Sequence, residues 1–191
     1  MRLKNKTKDL TLIALFTVFI ATGAFIRISV GPVPFTMQFF FTNLAALTLS
    51  KKNSFMCVLI YIIIGLTGIP VFTQGGGLGY ILNQNFGFIL GFLFGNYISS
   101  YILEKINKTN FIHYIFASII NLTVIYSTGI LYYYIISHFY LNSEMLIKTF
   151  LASFMIICLP GDIISLILSS ILAGRLKIIV NKYWFLENFV A

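Results

Sequence analysis

Apolar residues run through this chain in blocks about as long as a bilayer is thick, broken by short polar or glycine-rich stretches. A helix crosses a hydrocarbon layer of about 30 Å with about 20 mostly apolar residues. The first block is Leu10–Ile28, closed by the turn Gly31-Pro32-Val33-Pro34. The second, Phe35–Leu49, ends before Lys51-Lys52 and is short, which implies tilt or protein contact at one end. The third is Phe55–Ile69, stopped by Pro70, and the fourth is Phe86–Leu103. The fifth, Phe111–Phe139, exceeds one crossing and should project beyond the lipid. Met145–Ala173 is also too long for one span and is interrupted by Pro160-Gly161. Proline suits the first turn of a helix, so the sixth span begins near Pro160, and Ser143–Ile157 reads as a short surface or re-entrant helix.

Between the third and fourth blocks lies Val71–Gln84, with Gln74-Gly75-Gly76-Gly77-Leu78-Gly79-Tyr80 and no charge. Such a segment makes a poor solvent loop. Irregular backbone at membrane depth is tolerated only where protein or a cavity surrounds it, so a loop folded back over a cavity is expected. Two blocks carry small residues every four positions: Gly87, Gly91, Gly95 and Ser99 on the fourth, and Gly161, Ser165, Ser169 and Ala173 on the sixth. Four in register place small residues on one helix face, where another helix can approach closely.

Composition agrees with this pattern. Of 191 residues, 59% are apolar and 9% charged, too few charges to coat a soluble fold. A cytosolic enzyme, a nucleic-acid-binding domain and a disordered tail are excluded, and the net charge of +8 reads as loops facing anionic lipid. Lys and Arg are one-sided: eleven fall on the amino terminus, the second and fourth loops and the carboxyl tail, whereas Arg27 and Lys148 fall on the other side. The positive-inside bias therefore puts both termini in the cytoplasm, with six spans. The first block could be mistaken for a signal peptide because of Ala21-Thr22-Gly23-Ala24, but it is longer than a signal core and five spans follow. No repeat of domain scale is visible, and the whole chain, 1–191, reads as a single integral membrane domain.

Catalytic equipment is absent from the sequence. No phosphate-binding Gly-x-x-x-x-Gly-Lys-Ser/Thr occurs, His113 and His138 stand alone, and Cys57 and Cys158 lie inside apolar runs as small hydrophobes. Neither a cofactor nor a metal is expected. Of five acidic residues, Asp9, Glu104, Glu144 and Glu187 flank spans or sit in loops, and Asp162 lies within the start of the sixth. A carboxylate in a transmembrane segment costs about 2.5–3.5 kcal/mol on insertion scales and marks a functional position. It also suits a first helical turn, whose N–H groups favour negative charge. Asn83-Gln84-Asn85 precede the fourth span, and Gln38 opens the second; their amides offer both donor and acceptor to a neutral polar ligand. Gln38, Asn83 and Asp162, at the outer ends of three spans, make a plausible cup for a small molecule.

Four segments carry a resemblance. Gly31-Pro32-Val33-Pro34-Phe35-Thr36-Met37-Gln38, Gly65-Leu66-Thr67-Gly68-Ile69-Pro70-Val71-Phe72, the glycine-rich stretch Gly75–Phe92 and Leu159-Pro160-Gly161-Asp162 resemble, in order, motifs of the BioY family. Members of that family are biotin-binding S components of energy-coupling factor (ECF) transporters. The resemblance implies an all-α membrane protein of six transmembrane helices in the plasma membrane. It also implies a biotin cavity near the outer face, no enzymatic activity, and as partners a transmembrane T component and two ATP-binding-cassette ATPases. By position, Asn83 and Asp162 match residues around biotin, joined here by Gln38 and Ser165. Gly75, Gly76, Gly77, Gly79 and Tyr80, in the glycine-rich loop, would act as a lid. Three departures stand out. Ser165 occupies the position of the family's lysine in Pro-Gly-Asp-x-x-Lys. Asn83-Gln84-Asn85 replaces Asn/Gly-Pro-Thr. The docking patch Ala-x-x-x-Ala is reduced to Ala14 and Val18, with Thr17 and Ala21 as a nearby substitute. The alternatives are an S component for another small vitamin or biotin precursor, and a biotin transporter without a dedicated energising module.

Overall fold

The computed structural model describes residues 2–28, 34–106, 110–141 and 158–189. The expected helix at Ser143–Ile157 lies outside the described residues. Six helices are present among them: α1 Arg2–Phe25, α2 Gln38–Thr48, α3 Lys51–Leu66, α4 Phe86–Lys105, α5 Phe111–Ile135 and α6 Leu159–Phe189. Four (α1, α4, α5 and α6) are long and apolar enough to cross a membrane. The 11 residues of α2 and the 16 of α3 give lengths of only about 16 and 24 Å at 1.5 Å per residue.

The short α2 survives because protein, not lipid, surrounds it. It packs against α1, α3, α4, α5 and α6, and eight of its eleven residues are buried. The Phe35–Leu49 block therefore begins differently from its hydrophobic reading. Arg27–Ile28 (β1) and Phe35–Thr36 (β2) pair antiparallel as a two-residue hairpin, and the helix starts only at Gln38. Capping sets other boundaries. Ser50 Oγ accepts from Asn53 N at 3.3 Å before α3, and His113 Nδ1 accepts from Asn110 N at 3.0 Å at the start of α5. That bond gives His113 a structural role. A π-helical turn, Ile136–Tyr140, continues α5, where His138 stacks on Tyr134.

α5 lies along the small-residue face of α4. A Cβ on Gly91 would stand 2.8 Å from Ile125 Cα, and one on Gly87 or Gly95 would strike Tyr132 or Asn121. Ser99 Oγ completes the row by donating to Ala117 O at 2.9 Å. The corresponding face of α6 turns inward as well: Ser165, Ser169 and Ala173 are buried, and Gly161 accommodates the Phe35 ring.

Polar residues knit the middle of the bundle. Asn43 Nδ2 on α2 donates to Ser118 Oγ on α5 at 2.8 Å and to Ser169 Oγ on α6 at 2.7 Å. Asn121 Nδ2 donates to Asn43 Oδ1 at 2.9 Å and to Asn96 Oδ1 on α4 at 3.3 Å. All five side chains are fully buried. On α1, Thr17 turns inward and bonds Cys57 O of α3 at 3.1 Å. Thr17 thus serves internal packing; Ala21 is half-buried and Ala14 exposed.

Candidate functional site

At the end of the bundle opposite Lys51 and Lys105, residues of α2, α4, α5 and α6 line a half-open cavity. Its walls are largely apolar, from Phe35, Phe39, Phe88, Ile89, Phe92 and Ile125. Polar groups enter from Gln38, Thr73, Tyr80, Asn85, Tyr126 and Asp162, with Cys158 beside them. An apolar hollow with a few fixed polar groups is the usual form of a small-molecule site.

Asp162, in the first turn of α6, is 9% exposed. Tyr126 of α5 donates its hydroxyl hydrogen to Asp162 Oδ2 at 2.6 Å. No cation pairs with this carboxylate among the described residues. The partner of this carboxylate is thus a neutral hydroxyl on a different helix. The second carboxylate oxygen stays available to donors in a ligand. Gln38 Nε2 donates to Tyr61 Oη at 2.6 Å, and that hydroxyl donates to Val71 O at 3.2 Å. This chain holds the Gln38 amide at the cavity wall and ties it to the loop after α3.

The glycine-rich segment expected above as a lid is ordered and brings Thr73 and Tyr80 to the cavity. It contains a short 3-10 helix, Leu78–Leu82, and a bridge between Phe72 and Gly75. Phe72 is buried against Tyr61, Tyr80 and Phe86, its ring covering Gly65. Tyr80 and Thr73 share a hydroxyl–hydroxyl bond at 3.1 Å at the cavity edge. Burial raises the pKa of the Tyr80 phenol, keeping it protonated. Arg27 donates to Thr73 O, Gln84 Nε2 to Ser137 Oγ at 2.8 Å, and Tyr132 Oη to Ile81 O, so the lid is fastened to β1 and α5. Gly77 has φ 100 and ψ 166, a region essentially restricted to glycine, and donates its N–H to Gly65 O at 2.7 Å. Gly76 has no room for a Cβ beside the Ile69 carbonyl. Gly77→Ala should cost the closed lid about 1–3 kcal/mol. Amide hydrogen exchange across Phe72–Tyr80 is then expected to accelerate about tenfold or more, with the α4–α5 amides unchanged.

The residues singled out from sequence distribute unevenly. Gln38, Tyr80 and Asp162 line the cavity together. Asn83 does not line it: its Nδ2 donates to Gln74 Oε1 at 2.8 Å, and its Oδ1 accepts from Asn85 N at 2.9 Å. Asn83 thereby fixes the exit of the lid, and Asn85 is the amide of that trio which faces the cavity. Ser165 is buried one turn beyond Asp162 and is not among the lining residues. Gly75, Gly76, Gly77 and Gly79 shape the lid backbone. Tyr126, Thr73 and Cys158 also line the cavity, although nothing in their sequence context marks them as site residues.

Helices long and apolar enough to cross a membrane, packed around a mostly apolar hollow, define a multi-pass membrane protein with a candidate small-molecule site. The chain matches the sequence profile of the BioY family over residues 1–182 and belongs to that family. It is 38% identical to the probable biotin transporter BioY of Lysinibacillus sphaericus, over 91% of this chain and 88% of that protein. It is 32% identical to the biotin transporter BioY of Thermotoga maritima, over 85% and 92% respectively. Its fold is that of the crystallised S-component for biotin from an ECF-type ABC transporter. The two superpose with a TM-score of 0.76 at 25% identity, covering 91% of this chain and 93% of the other.

Proposed function

We propose that this chain is the membrane-embedded, substrate-binding subunit of a biotin uptake system. It captures biotin on the outer side and passes it inward with an ATP-driven module on other subunits. The observation that carries this reading is the buried Asp162 carboxylate, held by Tyr126 at the wall of a largely apolar cavity. Biotin's ureido ring has two N–H donors and one carbonyl. A carboxylate complements the donors, and the amide of Gln38 or Asn85 complements the carbonyl. The thiophane ring and valeryl chain lie against Phe35, Phe88 and Phe92. Arg27, fastened to Thr73 at the mouth, meets the biotin carboxylate. Asn83 acts through the lid, and Ser165 supports the turn that bears Asp162.

The one-sided lysine and arginine distribution supports cytoplasmic termini in the plasma membrane and a cavity facing outward. A T component and two ATP-binding-cassette ATPases are the partners this reading requires, since the sequence carries no phosphate-binding loop. Purified protein in detergent should bind labelled biotin saturably. Unlabelled biotin should displace it, and thiamine or riboflavin should not. Preferential displacement by another vitamin, or no binding by a monodisperse folded sample, would overturn the assignment.

A further inference from the structure

Away from the cavity, the outer surface between α3 and α4 carries an apolar groove lined by Phe55, Phe94, Tyr97 and Ile98. It leads to a basic cluster without a break in aromatic contact. Phe55 meets Tyr97 edge to face at 6.0 Å, and Tyr97 stacks on Tyr101 at 6.5 Å with planes 6° apart. Lys51 Nζ and Lys105 Nζ both stand 4.9 Å from the centre of the Tyr101 ring. One carboxylate lies among them: Glu104 pairs with Lys51 at 3.4 Å and also accepts from its backbone N at 2.8 Å. Lys52 follows on α3 and is exposed. The nearby Asp9 is engaged by Asn53 Nδ2 at 2.8 Å.

We propose that this groove and cluster form a binding site for one anionic phospholipid, with an acyl chain along Phe55, Tyr97 and Ile98 and its phosphate between Lys51 and Lys105. Two ammonium groups gathered on one ring repel each other, and Glu104 compensates only one of them. An anion between them removes that repulsion, and basic pockets between membrane helices suit lipid phosphates. The apolar groove distinguishes the ligand from a free anion, because it offers a chain-shaped apolar path leading away from the charges at membrane depth.

The test is native mass spectrometry of the full chain, released from detergent after incubation with equal amounts of phosphatidylglycerol and phosphatidylcholine of matched chains. Phosphatidylglycerol should be retained about tenfold over phosphatidylcholine, since each lysine near an anionic lipid contributes an appreciable attraction. The double variant Lys51→Gln/Lys105→Gln should lose that preference, while Lys6→Gln/Lys8→Gln keeps it. Ile98→Trp, filling the groove from an exposed position, should lower phosphatidylglycerol adducts severalfold with the lysines intact. Equal retention of the two lipids by the unaltered chain would overturn the proposal and leave the groove to bulk lipid or a partner helix. A preference that survives the Lys51/Lys105 variant, or that inorganic phosphate abolishes, would overturn it too.

Discussion

Asp162→Asn is expected to weaken biotin binding about ten- to a hundredfold, the loss of one charge-assisted hydrogen bond of about 1.5–3 kcal/mol. Asparagine has nearly the same shape, and its side-chain oxygen can still accept from Tyr126. The variant therefore removes charge while leaving the packing around α6 in place. The effect is large at this position because no lysine stands one turn along; Ser165 is there instead. A ureido N–H has no other anion to find in the cavity among the described residues. Equilibrium binding to the purified variant, with thermal unfolding as a control for folding, measures it. Unchanged affinity in a folded Asp162→Asn protein would remove the carboxylate from the site.

The second large effect concerns stability. Gly91→Val should destabilise the bundle by about 3 kcal/mol, toward the upper end for overpacked positions. The new Cβ would meet Ile125 Cα at 2.8 Å and Ile125 O at 2.9 Å, both backbone atoms that cannot rotate away. Relief would require α5 to lift from α4 along their whole interface. Gly161→Val offers the contrast. Its Cβ would meet the Phe35 ring, a side chain that can turn, and that ring lines the cavity. Thermal unfolding in detergent should fall sharply for Gly91→Val and little for Gly161→Val, whereas biotin affinity should fall in the latter. Equal unfolding temperatures for Gly91→Val and the unaltered chain would contradict the close α4–α5 approach.

The long helices were legible because membrane thickness imposes a length on apolar runs, and α1, α4, α5 and α6 obey it. The small-residue face of α4 was legible for a similar reason: glycine every fourth residue has few uses other than close approach. The hairpin Arg27–Ile28/Phe35–Thr36 was not, since strands of two residues have no period to read. In the site, Asp162 and Gln38 showed themselves as polar residues at the edges of apolar blocks. Tyr126 gave no such signal; in a run of aromatic residues only the rotational phase of α5, set by buried Ser118, Asn121 and Ile125, decides that it meets Asp162. The shift from Asn83 to Asn85 has the same origin. With α4 starting at Phe86, two residues of backbone separate a side chain folded onto Gln74 from one facing the cavity.

The amide and hydroxyl cluster at the centre of the bundle also constrains how the protein is made. Asn43 bonds Ser169, a residue that leaves the ribosome 126 positions later. Ser118 and Asn121 of α5 reach the same amide earlier, so α2, a helix of about 16 Å and too short to cross the lipid by itself, gains its polar partners in two steps. Its seating is therefore a late event, completed only when the final helix arrives. A chain that stops translating before Leu159 keeps the α5 partners of Asn43 but lacks Ser169 and the α6 face that packs on α2, which should expose it to membrane quality-control proteases.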